Sequence, residues 1–310
     1  MGSTSGASAD PHAHAVAATA DRRHLAVALA LIVGFMVVEV VVAVLAGSLA
    51  LLSDAGHMLT DAGAIAASLW AMRLAARPAA GAWTYGWKRA EILSAAVNGT
   101  TLLVVSCIVT VEAVRRLISP PPVEGAPVLV EALVGVVVNV AAVSSLAKAN
   151  RSSLNVRGAL QHILTDLYGF IATAIAAVVI LTTGFVRADS IASLLVVALM
   201  LRAAWGLLRD SGRILMQVAP EDVDLAAVRA HLAETGHIRD VHDLHVWTVT
   251  SGLPTLSAHV VVDDECFHDG HLPALLDEVQ SCLAGHFDVE HSTFQFELAA
   301  HAEHEHDTHS

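Results

Sequence analysis

Apolar residues in this chain gather into six long runs, and after Pro220 the pattern changes to short alternating stretches. The runs cover residues 25–46, 48–72, 92–114, 126–147, 159–183 and 190–208. Each comes near the ~20 residues a helix needs to cross ~30 Å of hydrocarbon, so six membrane spans are expected. The second run is broken by Asp54, His57 and Asp61. Beyond Pro220 the spacing predicts a helix over 221–235, strands over 240–250 and 255–263, a helix over 271–286 and a strand over 292–298. The expected fold is therefore a six-span α-helical membrane domain followed by a small αββαβ domain. Its boundaries are read as a disordered N-terminal segment at 1–22, the spans at 23–209, the αββαβ domain at 210–299 and a His-rich disordered tail at 300–310.

Composition agrees with the pattern. Only 15% of residues are charged, against roughly 25% in ordinary soluble domains. The formal net charge of −13 is unevenly placed: residues 210–310 hold 19 Asp/Glu against 3 Lys/Arg, and 13 of the 18 histidines. So acidic a domain excludes a nucleic-acid partner and suits a cation, or else simply a solvated surface. Cys107, Cys266 and Cys282 make an odd count without metal-type spacing, which predicts free thiols in a reducing compartment. Residues 1–20 lack the apolar core of a signal peptide, so the first span is expected to stay as an anchor.

Basic residues set the orientation. Twelve Lys/Arg, from Arg22 and Arg23 through Arg73, Lys88, Lys148 and Arg202 to Arg213, flank the spans on one side. Arg115, Arg116 and Arg187 lie on the other. The excess places both termini in the cytoplasm of a multi-pass cell-membrane protein. Trp83, Tyr85 and Trp87 fit an interfacial aromatic belt beside the basic residues.

The strongest chemical signal is a repeat. His57-Met58-Leu59-Thr60-Asp61 returns as His162-Ile163-Leu164-Thr165-Asp166. Residues four apart share a helical face, so each copy offers an imidazole and a carboxylate side by side. A single intramembrane polar residue often only bonds a neighbouring helix. Four ionisable groups in matching pairs are hard to explain that way, because such groups are costly at membrane depth and mark binding sites or pathways. Together they supply a His2Asp2 set that suits Zn2+, and also Co2+ or Cd2+. The copies occupy spans two and five, which run in opposite directions, as in transporters built from inverted repeats. Imidazole binds metal only when neutral, so protons compete with the metal and antiport follows by linkage. Asp54 is either an entry-side carboxylate or a helix N-cap. Asn98 and Asn139 are expected to bond between helices rather than to ligate.

The run from Gly47 through Ser53, Asp54, Ala55, Gly56 and His57 to Asp61 resembles the second-span signature of the cation diffusion facilitator family. Trp83 to Glu91 is similar to that family's loop into span three, and Val241 to Trp247 with His291 to Gln295 resemble its cytoplasmic domain. The zinc branch carries His and Asp in both spans, whereas manganese members are expected to show Asp in place of the His. The resemblance implies a homodimer that exports Zn2+ in exchange for H+, with a metallochaperone-like cytoplasmic domain. It implies Zn2+ as transported substrate at His57, Asp61, His162 and Asp166, and regulatory Zn2+ at His242, His259 and Glu297. It also suggests an ionic lock between Arg89 and Asp210.

Strand alternation puts His259 with Ser257 and Val261, and Glu297 with Gln295, away from Phe294 and Phe296. His242 and His245 differ by three and cannot serve one metal without a bulge; His242 is chosen by family position, with His245 as the substitute. Two departures narrow the picture. Residues 75–87 contain no His, Asp, Glu or Cys, so no metal site is expected there, and the link from span four to five has no histidine. The chain has no HExxH and its site is filled by four side chains, which argues against an enzyme. The remaining alternative is a membrane-bound zinc sensor that binds without transport.

Overall fold

A computed structural model describes residues 11–46, 49–120, 125–149, 153–289, 291–302 and 304. Its elements run α1 (Pro11–Ala46), α2 (Leu49–Ala75), α3 (Ala90–Ile118), α4 (Gly125–Leu146), α5 (Leu154–Thr183) and α6 (Arg187–Leu215). Then come α7 (Leu225–Ala233), β1 (Ile238–Thr248), β2 (Pro254–Val262), a 3-10 turn, α8 (Leu272–Phe287), β3 (His291–Glu297) and α9 (Ala299–Ala302). The chain separates into two compact units between Ser211 and Gly212.

In the first unit, Arg23–Val41 within α1 and the whole of α3, α4, α5 and α6 are long and apolar enough to cross a membrane. Only 22% to 33% of their most apolar windows is buried. The remainder, with Val38, Ile108, Val137, Ile175 and Leu195 exposed, forms a surface suited to hydrocarbon rather than water. The sixth long helix is α2, which carries the first copy of the repeat.

Local sequence sets the ends of the helix that matters most. Ser153 caps α5 by accepting a hydrogen bond from the Val156 N–H, and Gly184 ends it in a left-handed turn with φ 71°. The Ser153 hydroxyl also donates to Glu91 of α3. The helix thus begins at Leu154 rather than at residue 159, the start that hydropathy gives. Arg157 interrupts the apolar run, but it lies inside the helix and pairs with Asp210 of α6. The expected lock of Asp210 to Arg89 is accordingly replaced by a link between two spans.

The helix α1 already runs from Pro11, where disorder was expected as far as residue 22. Proline fits a helix's first turn, and the following alanines have the highest helix propensity. The expected disordered tail opens with the helical turn α9, although residues 303 and 305–310 lie outside the described ones.

Helix α4 packs along α1 and α5, while α2 packs on α1, α3 and α5. Leu25, Ile32, Ile65, Leu146 and Ile163 fill the space between them. The α4–α5 approach needs a glycine: a Cβ on Gly135 would stand 2.4 Å from Cδ1 of Phe170, whose ring in turn packs edge-on to Phe35. Small residues that let helices close are the usual device where no water drives association.

The second unit is a three-stranded sheet in the order β1-β2-β3, with β1 antiparallel and β3 parallel to β2. The parallel pair needs a crossover, which α8 supplies. Val241, Val246, Leu256, Ala258 and Val260 point to one face and meet Val228 and Leu232 of α7 and Leu275, Val279 and Leu283 of α8. The other face carries the alternate residues, including His242 opposite His259.

Candidate metal centres

Three of the four repeat residues converge where α2 meets α5. Asp61 comes from α2, and His162 and Asp166 stand one turn apart on α5. His162 Nε2 lies 2.6 Å from Asp61 Oδ1 and 3.8 Å from Asp166 Oδ2. One ligand atom from each of the three lies within 4.8 Å of the others. The imidazole is buried, and its Nδ1 has no hydrogen-bond partner among the described residues. His57 lies one turn before Asp61 on α2, but its side chain, like that of Asp54, falls outside the described residues.

These three groups open into a cavity of about 280 Å³. Thr101, Asn139, Phe170 and Ser193 also line it, so α3, α4, α5 and α6 all contribute wall. Asn139 donates to the Gly135 carbonyl of its own helix rather than bonding a neighbour as expected. Two carboxylates this close in a partly desolvated pocket repel each other unless a cation sits between them. A borderline cation that accepts nitrogen and oxygen ligands together answers that charge.

A second cluster lies on the open face of the sheet. His242 Nε2 is 2.8 Å from Glu297 Oε1, and His259 Nδ1 is 3.8 Å from Glu297 Oε2. Glu297 is only 3% exposed, an unusual place for a carboxylate without a strong partner. The pairing of β1 with β2 slips by one residue between His242 and His245, and Asp243 there has φ 49°. That extra residue is a β-bulge. It brings His245 opposite Ser257, on the same face as His242, and so removes the geometric conflict that a regular strand imposes. Asp243 links the histidines: its Oδ1 is 3.0 Å from His245 Nε2 and its Oδ2 is 3.8 Å from His259 Nε2.

Two members of this neighbourhood escaped sequence reasoning. Asp243 gave no bulge signal, since glycine is the usual marker of positive φ. Asn and Asp are nonetheless the other residues that tolerate it, and an Asp between two histidines was the available clue. His301 of α9 brings its Nε2 to 4.0 Å from Glu297. By sequence it falls in the His-rich tail, yet it stands only four residues after Glu297.

Residues 25–216 match the profile of the cation efflux transmembrane domain, and residues 220–299 that of the cation efflux protein cytoplasmic domain. The zinc transporter ZitB of Escherichia coli is 41% identical over 277 residues, which are 89% of this chain and 87% of that one. The metal cation efflux system protein CzcD of Cupriavidus metallidurans is 40% identical over 279 residues, 90% of this chain and 87% of its own. A Bacillus subtilis protein named cadmium, cobalt and zinc/H+-K+ antiporter is 37% identical over 284 residues, 91% of each chain. Among solved structures, the metal-bound C-terminal domain of the CzcD transporter is 41% identical; it covers 24% of this chain and all of its own, with a TM-score of 0.22. Matched along both of its units, this multi-pass membrane protein belongs to the cation efflux, or cation diffusion facilitator, family.

Proposed function

We propose that this protein exports Zn2+ from the cytoplasm in exchange for protons, and accepts Cd2+ and Co2+ in place of zinc. The observation that carries the reading is the Asp61–His162–Asp166 cluster at the wall of a cavity among the helices. A sensor needs a binding site but no cavity between helices. Zinc transport and cadmium, cobalt and zinc antiport in the names of relatives at about 40% identity support the same reading. In it, His57 supplies the fourth ligand of a tetrahedral site, and alternating access exposes that site to each side in turn. Protons compete for the two imidazoles, so the side with more protons favours metal release.

The experiment is reconstitution into liposomes with flux of Zn2+, Cd2+, Co2+ and Mn2+ measured separately. Flux of the first three with little of Mn2+ is expected, because a site with two imidazoles disfavours a harder cation. No Zn2+ flux, or Mn2+ flux as fast as Zn2+ flux, overturns the reading.

His242, His259 and Glu297 hold a regulatory Zn2+ in the same scheme, and the cytoplasmic domain pairs two protomers into a homodimer. Both termini lie in the cytoplasm in this reading, which the distribution of basic residues supports. The full chain with His242→Ala is expected to bind one zinc equivalent fewer than the parent in equilibrium dialysis. Unchanged stoichiometry removes His242 from the ligand set.

A further inference from the structure

A third cluster of ligand-type side chains sits on the helical side of the cytoplasmic domain. His231 lies in the last turn of α7, and Cys282 and His286 stand one turn apart on α8. One ligand atom from each lies within 4.8 Å of the other two. The two imidazole rings are 4.6 Å apart, centroid to centroid, at 63°. Cys282 and His231 are half-buried and His286 is exposed, so the cluster is open to solvent while two of its members are partly desolvated.

Its hydrogen bonding prepares it for a metal. His286 Nδ1 lies 3.2 Å from the Cys282 carbonyl oxygen. A carbonyl only accepts, so Nδ1 carries the proton and Nε2 keeps its lone pair. Metal-binding histidines are commonly oriented by a bond of this kind. Burial, and next to it the charge of Glu278, raises the Cys282 thiol above its ordinary range. The thiol therefore keeps its proton until a metal displaces it. The cluster is separate from His242, His259 and Glu297. Those lie on the face of the sheet away from α7 and α8, because the residues alternating with them, Val241 and Val260, pack under the helices.

We propose that His231, Cys282 and His286 form a second cytoplasmic metal site, which takes a borderline or soft divalent cation such as Zn2+ or Cd2+ through two imidazoles and a thiolate. Three protein ligands leave a fourth, solvent-facing position, the arrangement of a site that exchanges its metal rather than one closed for structure. The proposal does not rest on transport and holds or fails independently of the intramembrane site.

The test is the rate of Cys282 alkylation by iodoacetamide in the full-length protein in detergent, followed by mass spectrometry with and without Zn2+. With free zinc about tenfold above the dissociation constant, the rate is expected to fall about tenfold. Protection should vanish in His231→Ala and in His286→Ala and persist in His242→Ala. Cys266, which is buried, reports unfolding of any variant in the same experiment. With Co2+ as probe, a sulfur-to-cobalt charge-transfer band should be lost in Cys282→Ser and kept in Cys266→Ser. The proposal is overturned by an absence of zinc protection in the parent, by protection that survives both histidine substitutions, or by protection lost in His242→Ala. The first outcome leaves mere packing of His231 against His286 and Phe287; the last shows an effect relayed from the sheet.

Discussion

Asp166→Ala protein reconstituted into liposomes is expected to lose zinc flux by about 100-fold or more. Replacing a residue that only orients a metal ligand typically costs 10–100-fold in affinity or activity, and loss of a ligand itself costs at least as much. Asp166 stands one turn from His162 on α5 and shares its nitrogen with Asp61 at 3.8 Å and 2.6 Å. Without it the cation keeps one imidazole and one carboxylate among the described groups. The loss should not come from misfolding. Two carboxylates facing one pocket repel when no cation is present, and removing one relieves that cost. The metal-free variant should therefore melt no lower than the parent, while the stabilisation that zinc gives the parent should disappear. Thermal melts with and without zinc, beside stopped-flow flux, read both halves. Normal zinc flux in this variant would falsify the intramembrane assignment.

The second large effect concerns the driving force. Inverted vesicles with an acid interior should accumulate zinc, and collapsing the pH difference with a proton–potassium exchanger should abolish the accumulation. Each proton exchanged per zinc contributes about 1.4 kcal/mol per pH unit, or about tenfold in the steady-state gradient. The sign follows from the ligands. A metal needs neutral imidazole, so an acid lumen favours protonated histidine and zinc leaves there, while the neutral outer side favours reloading. Reversing the gradient should drive zinc the other way. Accumulation indifferent to both manipulations sinks the exchange mechanism and leaves simple facilitated passage.

The helices and the order of the cytoplasmic elements were legible because burial in hydrocarbon and strand alternation write themselves as periodicity. His162 and Asp166 were legible because a spacing of four on one helix is a local property. The approach of Asp61 on α2 could be inferred only from the repeat, since contact between α2 and α5 depends on packing around residues such as Ile65 and Ile163. Position on the chain misled where a polar residue met its partner elsewhere: Arg157 interrupts the apolar run, yet from inside α5 it pairs with Asp210. The Cys282 and His286 pair did stand at helical spacing within a segment predicted as a helix. It was passed over because a third ligand, His231, lies fifty-one residues earlier and reaches the pair only through the packing of α7 on α8.

The bulge at Asp243 makes the sheet cluster sensitive to chain length in an unusual way. Deleting Asp243 alone would join the two halves of β1 into one continuous register. His242 would still face His259, Val246 would still face Leu256, and the hydrophobic side would keep every pair it has. What would vanish is the carboxylate between His245 and His259. A single-codon deletion at this point thus edits the ligand environment while leaving the scaffold in frame, whereas deleting Val241 would put the Asp240 carboxylate in the core-facing place opposite Val260.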